Sequence, residues 1–211
     1  ELMVQSVSGP ADLTDLLDKM DAIVVGPGLG RDSWGTALLA LILDKVDPSL
    51  LDADALNLLS SDRKPVPGAI VTPHPAEAAR LLGQLTSDVN VDRPRAVRAI
   101  SKALDAVCVL KGSGTLVCSD EDDLLLCDRG NPGMASAGMG DLLSGVIGSL
   151  CAQGLSPLQA AGAGTWIHSA AADLAAPAGG PVGLIAGDLM PYLRLLRNCP
   201  DKADEVSHHG L

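Results

Sequence analysis

The chain has 211 residues, of which 47% are hydrophobic and 19% are charged, so it holds enough apolar material for a core and is not intrinsically disordered. Lys and Arg number 15 against 26 Asp and Glu, which gives a net charge of −11, and aromatic residues make up 1%. These values argue against nucleic-acid binding, which uses basic surfaces and stacked aromatic rings. The sequence shows neither an apolar run of membrane-spanning length nor a leader pattern, so we expect a cytoplasmic protein with no membrane partner.

Short apolar runs alternate with helical patterns along the chain. The strands predicted from the apolar runs are 22–25, 49–51, 69–71, 106–110, 115–118 and 123–127, the last two joined by the polar turn 119–122. The predicted helices are 33–45, 76–82 with Gly83 as C-terminal cap, 93–104, 141–153, 158–174 and 186–197, followed by a frayed tail from Pro200. This alternation predicts a single domain over residues 1–211, an α/β fold with a mostly parallel sheet and helices on both faces.

The segment from Gly130 to Gly140 is rich in glycine and small residues and runs into a predicted helix. Free N–H groups at a helix start, together with the helix dipole, form an anion hole for a phosphoryl group, which we assign to Gly138, Met139 and Gly140. A carboxylate beside that hole would repel phosphate, so Asp141 is expected to act as a general base on a hydroxyl group. The alternative is that Asp141 is an ordinary N-cap.

Three further loops follow predicted strands, and ligands of such sheets bind at the carboxyl ends of the strands. Gly28 lies in a Gly-x-Gly-x-Gly turn that lacks the spacing of a dinucleotide fingerprint. His74 lies between two prolines and is either a ligand contact or a loop histidine held by them. Lys111 follows the strand at 106–110 and is either a phosphate partner or a solvated lysine at a strand end.

Four acidic or amide side chains near these loops also have two interpretations. Asp52, Asp54 and Asn57 either line the same pocket, through water or metal, or form a helix start with Asp54 as its cap. Glu77 either belongs to the site or only complements the dipole of the helix that it opens.

The segment 131–145, Asn-Pro-Gly-Met-Ala-Ser-Ala-Gly-Met-Gly-Asp-Leu-Leu-Ser-Gly, closely resembles the signature of the ADP/ATP-dependent NAD(P)H-hydrate dehydratases of the ribokinase-like superfamily. Four other motifs match that family in order, at 26–30, 52–57, 72–77 and 110–115. The resemblance implies a ribokinase-like three-layer sandwich. It also implies a carbon–oxygen lyase that phosphorylates the hydroxyl of NADH-hydrate or NADPH-hydrate (S epimer) from ADP or ATP and then releases phosphate, thereby repairing the cofactor.

By the same resemblance, particular residues take particular roles. Asp141 matches the catalytic and substrate-contacting aspartate, and Gly28 and His74 match substrate contacts. The nucleotide-binding positions are Gly140 together with the segment Lys111, Gly112, Ser113, Gly114 and Thr115. Mg²⁺ is expected with the nucleotide, although no protein ligands for it can be identified from the sequence.

The resemblance carries expectations about the rest of the protein as well. Family members begin with a Gly-rich strand-to-helix unit ahead of the point that matches residue 1, so we expect the N-terminal part of the domain to lie outside this sequence. Many bacterial members are fused to an epimerase domain, and a homo-oligomer, in particular a homotetramer, is expected.

Two other functions fit the same motifs. A small-molecule kinase of the same superfamily, acting on a vitamin precursor or a sugar, would use the same anion hole and base but would leave a stable phosphorylated product. A non-catalytic nucleotide-binding module would bind adenine nucleotide without turnover. The choice between ADP and ATP, and between the two hydrates, is left open by the sequence.

Overall fold

The computed structural model describes residues 3–119 and 124–203. The strands are β1 (Val24–Val25), β2 (Leu50–Leu51), β3 (Ile70–Val71), β4 (Val107–Leu110), β5 (Thr115–Cys118) and β6 (Leu124–Cys127). The helices are α1 (Pro10–Leu17), α2 (Ser33–Lys45), α3 (Ala53–Asp62), α4 (Pro75–Leu82), α5 (Thr86–Val91), α6 (Arg93–Leu104), α7 (Met139–Ala152), α8 (Pro157–Gly179) and α9 (Ala186–Asn198).

The six strands form one sheet in the order β1-β2-β3-β4-β5-β6. The pairs from β1 to β4 are parallel, whereas β4-β5 and β5-β6 are antiparallel. The sheet is thus mostly parallel, with a hairpin added at one edge. Because the parallel strands share one direction, the loops that follow β1 to β4 all leave the same edge of the sheet.

Successive residues of a strand point to opposite faces of the sheet, and helices cover both faces. Leu51 and Val71 join a core built with α2, α3, α4 and α6, whereas Leu50 and Ile70 join a second core with α7 and α8. A third apolar cluster, which includes Met139, lies where α8 and α9 pack together. The three-layer α/β arrangement predicted from the sequence is confirmed.

The predicted elements compare closely with the observed ones. Helices α2 and α6 and strand β5 have the predicted bounds, and Gly83 caps α4 with a φ of 67°. For the segment 52–57, a polar loop and a helix start capped by Asp54 were both open; a helix is observed, and it begins at Ala53 with Asp52, not Asp54, as its N-cap. Helices α1 and α5 were not predicted.

Some expectations fall on residues that lie outside the described parts of the chain. These are most of the polar turn at 119–122, the first residue of the strand 123–127, and the tail beyond residue 203. Within the described residues, no helix is both long enough and apolar enough to cross a membrane.

Candidate functional site

A buried ion pair joins the ends of two strands of the sheet. Asp52 directly follows β2, Lys111 directly follows β4, and Lys111 Nζ donates to Asp52 Oδ1 at 2.8 Å. The other carboxylate oxygen of Asp52 accepts a hydrogen bond from Ser144 Oγ of α7 at 2.7 Å. Asp52 is only 1% exposed, so Lys111 supplies its counter-charge and Ser144 takes the place of water at its other oxygen. The alternative of a freely solvated Lys111 is wrong, because its side chain is 19% exposed and paired.

The first turn of α4, the helix that follows β3, brings a second carboxylate near the same lysine. Glu77 is buried, and its Oε2 accepts from the backbone N–H of His74 at 2.8 Å and lies 4.0 Å from Lys111 Nζ. Glu77 therefore does more than complement the dipole of α4. We call Asp52, Glu77, Lys111 and Ser144 the Lys111 cluster.

His74 is the N-cap of α4 rather than a histidine held only by its flanking prolines. Its Nδ1 accepts from the N–H of Ala76 at 3.1 Å and of Glu77 at 3.4 Å, so that nitrogen carries no proton and the ring is neutral. Partial burial lowers the pKa of His74 below its usual value, although the neighbouring Glu77 acts in the opposite direction. The remaining ring nitrogen, Nε2, lies 3.4 Å from Glu77 Oε1, so its N–H faces that carboxylate.

The N-terminus of α7 lies against the Lys111 cluster. A Cβ on Gly140 would stand 3.4 Å from Lys111 Nζ and 3.9 Å from Asp52 Oδ2. The helix cap is Gly138, with a φ of 84° that glycine adopts without strain, so the N-cap interpretation of Asp141 is wrong. Asp141 lies instead in the first turn, exposed, and the first N–H groups of any helix have no partner within it. Two positive poles, a helix N-terminus and an ammonium group, thus meet beside an exposed carboxylate.

An arginine of α6 supports the turn between β4 and β5. Arg93 of α6 donates to the carbonyl oxygens of Leu110 at 3.1 Å, Lys111 at 3.4 Å and Gly114 at 3.1 Å. A Cβ on Gly112, whose φ is 143°, would lie 2.7 Å from Arg93 Nη1, so the guanidinium fills the space that a side chain would need.

A hydroxyl group closes the same turn. Thr115 Oγ1 donates to the carbonyl of Gly112 at 2.9 Å and accepts from its N–H at 3.3 Å, while Ser113 stands exposed at the tip. The segment 111–115, which is predicted to bind nucleotide, is therefore a turn that Thr115 and Arg93 hold in one conformation.

The Gly-rich turn after β1 packs against the same edge. Gly26 lies so close to the backbone carbonyl of Asp52 that a Cβ would not fit, and Gly28 is exposed with a φ of 68° and open space around it. Asp54 Oδ2 accepts from the N–H of Gly30 at 2.9 Å, so Asp54 holds this turn and is not a helix cap.

The predicted polar set of Asp52, Asp54 and Asn57 is divided by the fold. Asn57 Oδ1 accepts from Arg80 Nη1 at 2.7 Å, a contact between α3 and α4 away from the Lys111 cluster. Asp52 alone of the three joins that cluster.

Ser144, Arg93 and Asp173 were not predicted as site residues. Asp173 of α8 accepts from the N–H of Gly130 at 2.8 Å and from Asn131 Nδ2 at 3.2 Å, which anchors the start of the Gly-rich segment. Beside that segment lies an open groove of about 380 Å³, which residues of 132–136 and 181–185 line. One feature of the sequence could have identified Ser144: it follows Gly140 by four positions, and residues four apart lie on the same face of a helix.

The carboxylates of the site do not form a cage for Mg²⁺ by themselves. Both oxygens of Asp52 are hydrogen-bonded, Lys111 stands between Asp52 and Glu77, and the described residues contain no group of three His, Cys, Asp or Glu gathered for a metal. Mg²⁺ fits this site only as an ion carried by nucleotide phosphates and water, which is how it is commonly bound in phosphoryl-transfer sites.

The chain is similar to proteins of one known family. The family model described as NAD(P)H-hydrate dehydratase matches residues 1–194. The chain is 48% identical over 198 residues to the bifunctional NAD(P)H-hydrate repair enzyme of Coxiella burnetii, covering 94% of this chain and 41% of that protein. It is 45% identical to the ADP-dependent (S)-NAD(P)H-hydrate dehydratase of Neisseria meningitidis, covering 94% of this chain and 69% of that one. The chain therefore spans about two-fifths of the length of the bifunctional relatives that it matches.

A solved structure resembles the fold in the same way. The ADP/ATP-dependent NAD(P)H-hydrate dehydratase of Bacillus subtilis, co-crystallised with ATP and Mg²⁺ and soaked with CoA, superposes with a TM-score of 0.76 at 28% identity, covering 84% of this chain and 66% of that one. This agreement confirms the ribokinase-like fold expected from the motifs. The chain belongs to the NAD(P)H-hydrate dehydratase family.

Proposed function

We propose that the chain catalyses the nucleotide-dependent dehydration of (S)-NADH-hydrate and (S)-NADPH-hydrate, and so repairs the nicotinamide cofactors. The observation that carries the proposal is the meeting of Lys111 Nζ with the first turn of α7, where Asp141 is exposed. Within a dehydratase family, this combination of anion-binding groups and a carboxylate fits phosphoryl transfer to a hydroxyl group.

The nucleotide is held by two neighbouring parts of the site. The free N–H groups at Gly138, Met139 and Gly140 and the Lys111 ammonium group bind its terminal phosphates. The rest of the nucleotide lies along the turn Lys111–Thr115, which Arg93 and Thr115 keep in one conformation. Mg²⁺, when bound with the phosphates, supplies further neutralisation of their charge.

The hydrated nicotinamide ring faces the opposite side of Asp141. His74 and Gly28 contact it, and the neutral His74 ring, held beside Glu77, adds no charge there. The Asp141 carboxylate takes the proton of the hydrate's hydroxyl group while that oxygen attacks the terminal phosphorus. The bond to the nucleotide breaks, and AMP leaves from ADP, or ADP from ATP.

The phosphate ester then breaks down to the repaired cofactor. The carbon–oxygen bond breaks with its electron pair on the phosphate, and the ring loses a proton as its double bond is restored. Phosphate is a far better leaving group than hydroxide, which is the chemical purpose of using a nucleotide.

The proposal extends to the state of the protein. Residues 1–211 belong to one dehydratase domain, which is supported by the single sheet that joins every described strand and by the family match over residues 1–194. The protein works in the cytoplasm and forms a homotetramer. Light scattering of the purified protein would test the tetramer.

The stoichiometry of the products tests the reaction. With Mg²⁺, hydrate and either ADP or ATP, the proposal predicts one free phosphate and one AMP (from ADP) or one ADP (from ATP) for each nicotinamide restored. A stable phosphorylated product would instead indicate a small-molecule kinase. Nucleotide binding without consumption would indicate a binding module.

A further inference from the structure

Asp52 is the most buried ionisable group of the Lys111 cluster, and the reaction described above gives it no chemical step. It is 1% exposed, and both of its carboxylate oxygens are used by side chains distant in sequence, Lys111 at 59 positions and Ser144 at 92. A buried carboxylate is costly unless it is paired and hydrogen-bonded, so this arrangement requires both partners to be in place.

The electrostatics of the site give this carboxylate a purpose. Lys111 Nζ and the N-terminus of α7 are both positive, and they stand next to each other. Without a fixed negative charge, the lysine side chain would swing away from the helix towards water. Asp52 supplies that charge, and its bond to Ser144 ties α7 to the end of β2.

We propose that Asp52 is a positioning residue for nucleotide binding, which holds the Lys111 ammonium group at the first turn of α7. This inference rests on the proposed nucleotide-dependent function. Glu77 does not replace Asp52, since it lies 4.0 Å from Lys111 Nζ and its nearer oxygen is already bonded to the backbone of His74.

The first test measures the contact itself and needs no nucleotide. The rate of reductive methylation of Lys111 is followed by mass spectrometry in the wild type and in Asp52→Asn. We expect a several-fold faster reaction in the variant, because the amine is released towards solvent. Asp54→Asn is the matched control, since Asp54 lies on the same helix start but bonds to Gly30, and it should leave the Lys111 rate unchanged. An unchanged rate in Asp52→Asn overturns the proposal.

The second test asks whether Asp52 acts through Lys111. Calorimetry measures ADP affinity for Asp52→Asn in the wild-type background and in a Lys111→Met background. Coupled buried charges predict about a tenfold loss with Lys111 present and less than a twofold loss without it. Equal losses in the two backgrounds overturn the proposal.

Two further measurements distinguish the positioning role of Asp52 from metal binding and from misfolding. The tenfold loss should be the same with Mg²⁺ and with chelator, and a loss seen only with Mg²⁺ would make Asp52 a metal ligand and overturn the positioning role. If Asp52→Asn does not fold, Ser144→Ala is used in the same cycle and should weaken ADP binding by a smaller factor that again depends on Lys111. A wild type that binds neither ADP nor ATP refutes the proposed function, whereas the methylation rates judge the Asp52 contact separately.

Discussion

Two residues of opposite charge, Lys111 and Asp141, stand at the same helix turn and are assigned different tasks. Lys111 contributes to binding, since its ammonium group is fixed by Asp52 beside the N–H groups of α7. We therefore expect Lys111→Ala to weaken ADP binding by about tenfold or more, the usual scale for a charge-assisted contact to phosphate. Calorimetry with purified protein measures this directly, and an unchanged affinity would remove Lys111 from the nucleotide site.

A second prediction at this scale concerns acid stability. Burial lowers the pKa of His168 to about 4, against an opposing contribution from the Met139 backbone, and its Nε2 has no hydrogen-bond partner among the described residues. The unfolded chain takes up this proton below about pH 6.5, whereas the folded chain does so only below about pH 4, so stability falls as the pH drops between these values.

The size of this effect follows from the linkage relation. Between pH 7 and pH 5, the wild type should lose about 2 kcal/mol more of its unfolding free energy than His168→Gln does. Urea unfolding of both proteins at the two pH values measures the difference. Parallel losses in the two proteins would show that His168 does not titrate in this way.

At the scale of elements, the turn between β4 and β5 depends on a side chain of helix α6. Arg93→Gln removes guanidinium bonds to three backbone carbonyls, so we expect a loss of about 1–3 kcal/mol in unfolding free energy and a several-fold loss of ADP affinity. Arg95→Gln on the same helix is the control, since Arg95 is exposed and should change stability by less than about 0.5 kcal/mol. Equal effects of the two substitutions would contradict this account of the turn.

The elements also show what a sequence can predict. Helices α2 and α6 could be placed to the residue, because each follows an aspartate whose side chain caps it and each carries a clear apolar face. The N-cap of α3 is harder to identify from the sequence, because Asp52 follows β2 without any intervening turn and Ala53 adopts a φ of 48° there. Helices α1 and α5 are short, 8 and 6 residues, and give little periodicity to detect.

The candidate site was partly predictable for a related reason. Motifs after strands placed Asp52, His74 and Lys111 at one edge of the sheet, since parallel strands bring their ends together. The bond from Asp52 to Ser144 and the support of the turn by Arg93 could not be predicted. They join residues far apart in sequence and depend on how α7 and α6 pack.

At the scale of the whole molecule, a chain with a net charge of −11 is proposed to bind anionic nucleotides. The fold makes this binding possible because it brings the Lys111 ammonium group and the N-terminus of α7 together, where the end of β4 meets the start of α7. Local backbone N–H groups and one paired lysine outweigh a distant negative surface, because screening by salt weakens charges more than about 10 Å away. The sheet order is thus what makes an acidic protein suitable for this ligand.

The most direct test of the central claim is recovery of dihydronicotinamide absorbance from NADH-hydrate, with Mg²⁺ and either ADP or ATP. It should be run on this chain and on the chain with any residues that precede Glu1 in its gene. We expect recovery that requires nucleotide, and in Asp141→Asn a rate lower by about a hundred- to ten-thousandfold with ADP affinity retained. Absence of nucleotide-dependent recovery in both forms, or an undiminished rate in Asp141→Asn, would contradict the account.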